Sequence, residues 1–231
     1  MGWLASMEEQ ISQSEIPEKW TGAQADLQVD GENYGVLLYA GAYALFYNEA
    51  MLNEAGVAVP TTVEELKEAA LKTTKKDADG NVIHFGLGID NSTGNAAYIN
   101  ASQFILGSGS HWTKEDGSTN LSDEKLVKAL EDYKYFFDNG LTPLGTAAVQ
   151  LRQYFVEGKI AMYIDGPFVM PIINAADESI RSSLKITRVP FDICASNTSH
   201  SVHMPATLDE TEKTLVWDFY QILLTDEMQT L

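Results

Sequence analysis

Four consecutive residues, Asp165, Gly166, Pro167 and Phe168, combine an acid, an open backbone, a chain-breaking proline and an aromatic ring. They follow the apolar segment 160–164, which predicts a buried strand. In open α/β sheets, ligands bind beyond the carboxyl ends of the strands. Gly166 lets a ligand approach the backbone closely, and Pro167 predicts a helix whose free N–H groups point at the same crevice. A flat ring beside polar groups suits a sugar, which has C–H faces and a polar rim.

The same corner also fits an ordinary strand-to-helix turn in which Phe168 packs inward. Residue types alone favour that alternative, because aromatic side chains are more often core than ligand platforms. Two further aromatic positions, the tyrosine-rich segment 34–47 and Tyr98, allow the same two interpretations. From these residues alone the choice stays open.

Motifs for catalysis are absent from the sequence. It contains no glycine-rich nucleotide loop, no nucleophile elbow and no zinc-protease motif. His200 and His203 are spaced to share a metal, but no carboxylate or thiol cluster accompanies them, so we predict solvated loop histidines. We therefore predict no catalytic residue, no metal and no cofactor, although 33 acidic residues leave a glycosidase-type carboxylate pair open.

The composition excludes several classes of partner. The 231 residues carry a net charge of −18, from 33 acidic and 15 basic side chains, which argues against nucleic acid and anionic membranes. Hydrophobic content of 45% predicts a folded globular protein. The single cysteine, Cys194, excludes an intrachain disulfide. The opening residues MGWLASMEEQ lack the basic start of a signal peptide, so we expect any export signal to lie outside this chain.

Strand and helix patterns alternate along the chain, which predicts an α/β protein. We predict two short strands over 34–48, and single strands over 82–89, 160–164 and 184–191, with amphipathic helices between them. A helix over 49–54 should end at a glycine in the left-handed conformation.

Helix starts are predicted from capping residues. Thr62 with Glu65, and Asp209 with Glu212, have the spacing of capping boxes. Ser122 is the predicted N-cap of the long helix that follows it. On the last long helix, three apolar side chains are predicted to face a core: Leu215, Phe219 and Leu223.

Five stretches of the chain form a pattern when they are taken in order: DGENYGVLLYAGAYALFYNEAMLNEAGVAVPTTVEEL, DADGNVIHFGLG, LSDEKLVKALEDYKYFFDNGLTP, YFVEGKIAMYIDGPF and DETEKTLVWDFYQILLTDEMQTL. Together they resemble the extracellular solute-binding proteins of ABC transporters, and above all the carbohydrate-binding branch that includes maltose/maltodextrin-binding protein. The fourth is the most specific, because the family has an F-x-x-GK-x-AM strand running into GPW, here GPF.

The resemblance implies a periplasmic-binding-protein-like type II fold. Such proteins have two α/β lobes joined by crossing strands, with the ligand in the cleft between the lobes. By this comparison, residues 1–40 are part of the N-terminal lobe and the first crossing, 41–199 are an incomplete C-terminal lobe, and 200–231 return to the N-terminal lobe. We therefore expect a partial chain made mostly of the C-terminal lobe.

The resemblance also points to the residues that contact ligand. Phe168 takes the place of the sugar-stacking tryptophan of GPW, and Gly41 stands where maltodextrin binders can have an acid, which puts maltodextrin itself in doubt. Together with the glycine of the Asp-Gly-Pro-Phe corner, the predicted ligand-binding residues are Tyr39, Gly41, Ala42, Tyr98, Gln150, Arg152, Gly166 and Phe168.

The implied function is to bind a sugar or oligosaccharide and deliver it to an ABC transporter permease without catalysis. The implied location is outside the cytoplasm, either periplasmic or lipid-anchored at the cell surface. Three alternatives stay open: a binder of another solute such as a polyamine or anion, a carbohydrate-active hydrolase, and an adhesion or scaffolding protein. A truncated two-lobe chain is also expected to self-associate through unpaired strand edges and apolar faces.

Overall fold

The computed structural model describes residues 2–19, 24, 27–194 and 196–229. The chain divides into two compact units: unit 1 is Met1–Gly41 with Thr198–Leu231, and unit 2 is Ala42–Asn197. The assignment of these units to the lobes of a complete protein stays a prediction.

The strands are β1 (Gln28–Val29), β2 (Glu32–Asn33), β3 (Val36–Ala42), β4 (Ala44–Asn48), β5 (Lys75–Lys76), β6 (Val82–Gly88), β7 (Ile160–Asp165), β8 (Leu184–Arg188) and β9 (Ser196–Val202). The helices are α1 (Glu8–Ser12), α2 (Ile16–Lys19), α3 (Glu49–Ala55), α4 (Val63–Thr73), α5 (Gly94–Gly107), α6 (Glu124–Asp138), α7 (Ala148–Val156), α8 (Met170–Ala175), α9 (Glu178–Arg181), α10 (Glu210–Leu223) and α11 (Asp226–Gln229). A 3₁₀ turn, Pro167–Val169, precedes α8. Among the helices described, none is both long and apolar enough to cross a membrane.

Unit 1 packs α1 and α10 around a small apolar core. Its strands form two two-stranded sheets, β1 with β2 and β3 with β9. Met7, Val36, Met204 and Trp217 are buried together in this core. Tyr220 on α10 donates a hydrogen bond from its hydroxyl to the backbone carbonyl of His203, at 2.8 Å. These contacts fix which face of α10 is buried.

The predicted core face of α10 is wrong. Leu215 is 64% exposed and Phe219 is 55% exposed, whereas Trp217 is buried. Tyr220 and Leu224 pack partly against the same core as Trp217. The helix is apolar on two faces, and helical spacing alone does not decide which of them meets the core.

The prediction of solvated loop histidines is confirmed only in part. His200 is exposed, but it lies in strand β9 and not in a loop, and its ring stacks on Tyr39 with 4.6 Å between ring centroids. Nδ1 of His203 lies 2.7 Å from the carbonyl oxygen of Tyr34, and Nε2 lies 2.8 Å from the hydroxyl of Ser201. Within the described ranges, no three His, Cys, Asp or Glu side chains cluster so as to hold a metal ion.

Unit 2 is built on a mixed five-stranded sheet in the order β5-β6-β7-β4-β8. β6 and β7 are parallel, whereas β4 runs antiparallel to both β7 and β8. Neighbouring side chains on β4 point to opposite faces, so Leu45 joins one apolar core and Phe46 the other. Every residue of β7 is buried, as expected of a strand covered on both faces.

Helices cover both faces of this sheet. α4 approaches β6 so closely that a Cβ atom on Gly86 would lie 2.1 Å from the carbonyl oxygen of Ala70, which explains the glycine. On the opposite face, Phe155 of α7 packs among the side chains around Phe46. The structure is therefore α/β, as predicted, with β7 central and its carboxyl end at Asp165.

The predicted helix ends are mostly confirmed. Gly56 ends α3 in the left-handed conformation at φ 65°, and Asp209 and Glu212 make both hydrogen bonds of a capping box. Thr62 caps α4, but the Glu65 carboxylate binds the backbone and hydroxyl of Thr61, so the reciprocal half of that box is absent.

The N-cap of α6 is Asp123 and not Ser122. The Asp123 carboxylate accepts hydrogen bonds from the Leu126 backbone at 2.9 Å and from the Ser110 hydroxyl at 2.8 Å. The neighbouring acid therefore takes the capping position, because it satisfies both a helix N–H group and a distant hydroxyl.

Candidate functional site

A cavity of about 290 Å³ lies at the carboxyl end of β7, entirely within unit 2. Its wall includes the loop after β6, the first turns of α5, one side of α7 and the 3₁₀ turn after β7. The charged and aromatic groups in this wall are Asp90, Arg152, Asp165, Phe168 and two tyrosines. We call this the β7 cavity.

An ion pair with a buried aspartate and a partly buried arginine forms one side of the β7 cavity. Nε of Arg152 donates to Oδ2 of Asp165 at 2.6 Å, and Nη2 donates to Oδ1 at 3.1 Å. The Gly166 backbone N–H also donates to Oδ1, at 2.8 Å, and Asp165 is only 4% exposed. The hydrogen bond with Asp165 raises the pKa of Arg152. The pair is thus bidentate and charged, and it keeps the guanidinium in one orientation.

Phe168 presents its ring beside this ion pair. It is 41% exposed, so the inward-packed alternative is wrong. The Cζ atom of Arg152 lies 5.7 Å from the centroid of the ring, in cation–π contact. A Cβ atom on Gly166 would lie 3.0 Å from a ring carbon of Phe168, so the glycine leaves room for the ring. Pro167 starts a 3₁₀ turn, and the α-helix predicted here begins only at Met170.

Asp90 holds the start of α7, the helix that carries Arg152. The residue before this helix is Ala147, which has no side chain that can cap it. Oδ2 of Asp90 instead accepts the N–H of Ala148 at 2.8 Å, while Oδ1 accepts the N–H and the hydroxyl of Ser92. The sequence argument did not single out Asp90, but it is an acid directly after a predicted strand, which is the signal that pointed to Asp165.

Tyr163 lines the same cavity from within β7. Burial, and then the negative charge of Asp165, raise the pKa of its phenol. The ring is therefore a neutral group at physiological pH. A Cβ atom on Gly88 would lie 2.8 Å from this ring, so the neighbouring strand carries a glycine where the tyrosine passes.

Three other predicted residues of unit 2 lie outside the cavity wall. Tyr98 is 54% exposed on α5 and stacks on Trp112 with 5.4 Å between centroids. Gln150 is exposed on α7, and Ala42 is exposed at the end of β3. Their contact with a ligand stays a prediction.

Tyr39 and Gly41 belong to unit 1. Tyr39 is 42% exposed, and one face of its ring is stacked on His200. Of the predicted residues, the structure therefore brings together Arg152, Gly166 and Phe168.

Comparison with known proteins identifies the class of protein. Residues 2–231 match the model of the family described as bacterial extracellular solute-binding protein, and the chain belongs to that family. A binding protein from Brucella abortus strain 2308 is 31% identical over 145 residues, which are 61% of this chain and 34% of that protein.

Solved structures of ABC transporter solute-binding proteins have the same fold. One from Thermotoga lettingae, bound with α-D-tagatose, is 25% identical with a TM-score of 0.80, over 98% of this chain and 59% of that one. One from Agrobacterium radiobacter K84, in complex with ribitol, is 21% identical with a TM-score of 0.79, over 99% of this chain and 59% of that one. Maltose-bound MalE3 of T. maritima is 20% identical with a TM-score of 0.77, over 98% of this chain and 59% of that one.

The chain spans about three fifths of these solved structures and about one third of the curated relative. At 20–21% identity, the ribitol and maltose complexes support the fold and not the choice of ligand. The fold confirmed in this way is the periplasmic solute-binding fold predicted from the sequence.

Proposed function

We propose that the protein binds a sugar or sugar alcohol as the solute-binding component of an ABC importer, with the β7 cavity as one wall of its site. The observation that carries the proposal is the exposed ring of Phe168 beside the fixed guanidinium of Arg152. An aromatic face can stack on the C–H face of a sugar while the guanidinium donates hydrogen bonds to its hydroxyls. The tagatose complex of a similar protein, at 25% identity, supports this choice of ligand.

The proposed function is binding without catalysis, and it therefore differs from that of a carbohydrate-active hydrolase. A glycosidase needs one carboxyl group to donate a proton and another to act as a base or nucleophile. Oxygens of Asp165 accept hydrogen bonds from Arg152 and Gly166, and those of Asp90 accept hydrogen bonds from Ser92 and Ala148. Both carboxylates therefore hold the cavity wall in place.

The implied partner is a membrane permease, and the implied location is outside the cytoplasm, with periplasmic and lipid-anchored forms both consistent with the family. Exposed Leu215, Phe219 and Ile222 on α10 support self-association of the isolated chain. Sedimentation of the 231-residue chain as a monomer across the micromolar range would contradict that expectation.

The deciding experiment is calorimetric titration of the full-length protein with tagatose, ribitol, mannitol and maltose, followed by product analysis. Saturable binding of one of them, with the ligand recovered unchanged, is the expected result. Heat only from polyamines or inorganic anions would move the function to another solute, and released monosaccharides would establish a hydrolase.

A further inference from the structure

The charged groups around the β7 cavity indicate which kind of sugar it accepts. We infer that the cavity selects uncharged polyhydroxylated ligands over sugar acids, and that Asp165 sets this selectivity by neutralising Arg152. The inference rests on the proposed function and deepens it, because it names the charge class of the ligand.

An arginine in a cavity wall ordinarily attracts anions. Its planar guanidinium matches a carboxylate with two parallel hydrogen bonds. Here the edge formed by Nε and Nη2 of Arg152 is already bound to both oxygens of Asp165. Nη1 and the second hydrogen of Nη2 still have donor capacity for neutral hydroxyl groups. The ion pair therefore leaves hydrogen-bonding capacity while cancelling the charge.

A ligand carboxylate cannot easily displace Asp165. The residue is 4% exposed, its Oδ1 atom also accepts the Gly166 N–H, and its backbone pairs with Ala44 in the sheet. Removing one partner from such a pair leaves an uncompensated buried charge, which is strongly unfavourable. The internal carboxylate consequently stays in place, and a second carboxylate would lie beside it.

The remaining groups in the cavity wall do not restore a positive charge. Its charged residues are one base, Arg152, and two acids, Asp90 and Asp165, so their formal sum is −1. The other polar side chains are hydroxyls and amides, including Thr93, Asn95 and Asn100. Neutral donors and acceptors of this kind suit hydroxyl groups, whereas the net negative charge opposes an anion.

The test compares each sugar with its own acid, so that only a carboxylate differs. Galactose with galacturonate, glucose with glucuronate, mannitol with mannonate and ribitol with ribonate are titrated into the full-length protein by calorimetry. We expect the neutral member to bind at least about tenfold more tightly. The selectivity ratio is the dissociation constant of the acid divided by that of the neutral sugar. Asp165→Asn frees the charge of Arg152 and should lower this ratio by about tenfold, chiefly by strengthening binding of the acid.

Two further variants make the test specific. Asp90→Asn removes a negative charge while its side-chain oxygen can still accept the N–H of Ala148. This variant should also lower the selectivity ratio, and it provides the test if Asp165→Asn does not fold. Glu178→Gln is the matched control, because it removes the acid of the exposed Arg181–Glu178 pair, outside the cavity wall. It should leave the ratio unchanged.

The outcomes separate this inference from the function on which it rests. Two results would overturn the proposed role of Asp165 and Asp90 while leaving sugar binding intact. One is tighter binding of the sugar acid by the wild-type protein, and the other is an unchanged selectivity ratio in folded Asp165→Asn or Asp90→Asn protein. Failure to bind either member of any pair, together with the other sugars named above, would overturn the proposed function as well.

Discussion

Phe168→Ala should weaken sugar binding strongly and should destabilise the protein less than the loss of a fully buried aromatic ring does. The ring is 41% exposed, and that exposed part is the surface offered to a ligand. Taking about 200 Å² for the side chain, this corresponds to roughly 80 Å² of ring surface that a ligand can cover. At about 25 cal/mol per Å², covering it contributes about 2 kcal/mol, or about thirtyfold in the dissociation constant.

The same substitution should lower the free energy of unfolding by about 2 kcal/mol, because roughly 120 Å² of the side chain is already covered by the protein and alanine retains only its Cβ atom. Phe155 offers a matched comparison, since it is the same residue type with 0% exposure in the core beneath. Phe155→Ala should cost about 3–5 kcal/mol of stability by creating a cavity. The contrast between the two alanine variants separates binding from packing.

The assay is calorimetric titration of the full-length protein with its best sugar, beside urea unfolding of both alanine variants. Phe168→Trp keeps a flat aromatic face and should retain most of the affinity for the sugar. Phe168→Leu keeps apolar volume but has no flat face, so it should lose affinity. A Phe168→Ala protein with wild-type affinity, or with a stability loss equal to that of Phe155→Ala, would refute the assignment of this ring to the ligand.

Three further predictions concern the frame around the site. In urea unfolding of the 231-residue chain, Trp217→Ala should lower the free energy of unfolding by about 3–5 kcal/mol, whereas Phe219→Ala should lower it by less than about 1 kcal/mol. Equal losses in the two variants would contradict the burial of the Trp217 face of α10. Asp90→Ala should cost about 1 kcal/mol in the same assay by leaving the Ala148 N–H without its acceptor, and a neutral result would show that Asp90 does not cap α7. Thr62→Ala should cost about 1 kcal/mol while Thr62→Ser retains stability, and equal melting of the two would exclude the cap at α4.

Local sequence was sufficient for many elements of this fold. A strand ending at Asp165, a glycine after α3 and the capping box at Asp209 are each specified by residues within one turn or one strand. Such features depend on backbone preferences and on hydrogen bonds between near neighbours. The error at Ser122 has the same origin, since two adjacent residues were both good caps and a distant hydroxyl favoured Asp123.

The arrangement of the site required the tertiary structure. The sequence named Arg152 and Phe168 as candidates, but not that Arg152 pairs with Asp165, 13 residues away, or that its guanidinium lies by the Phe168 ring. It also did not show that Asp90 caps a helix 58 residues further along. These contacts exist because β6, β7 and α7 pack together, and packing depends on both faces of every element at once.

The sequence by itself therefore determined the α/β class, most strand and helix positions, and the polar corner with its aromatic ring. Only the tertiary structure decided that the ring is exposed and that the acid neutralises an arginine. It also decided which apolar face of α10 is buried, against Met7, Val36 and Met204. The physical reason is that exposure and charge pairing are properties of neighbours in space, which local spacing does not encode.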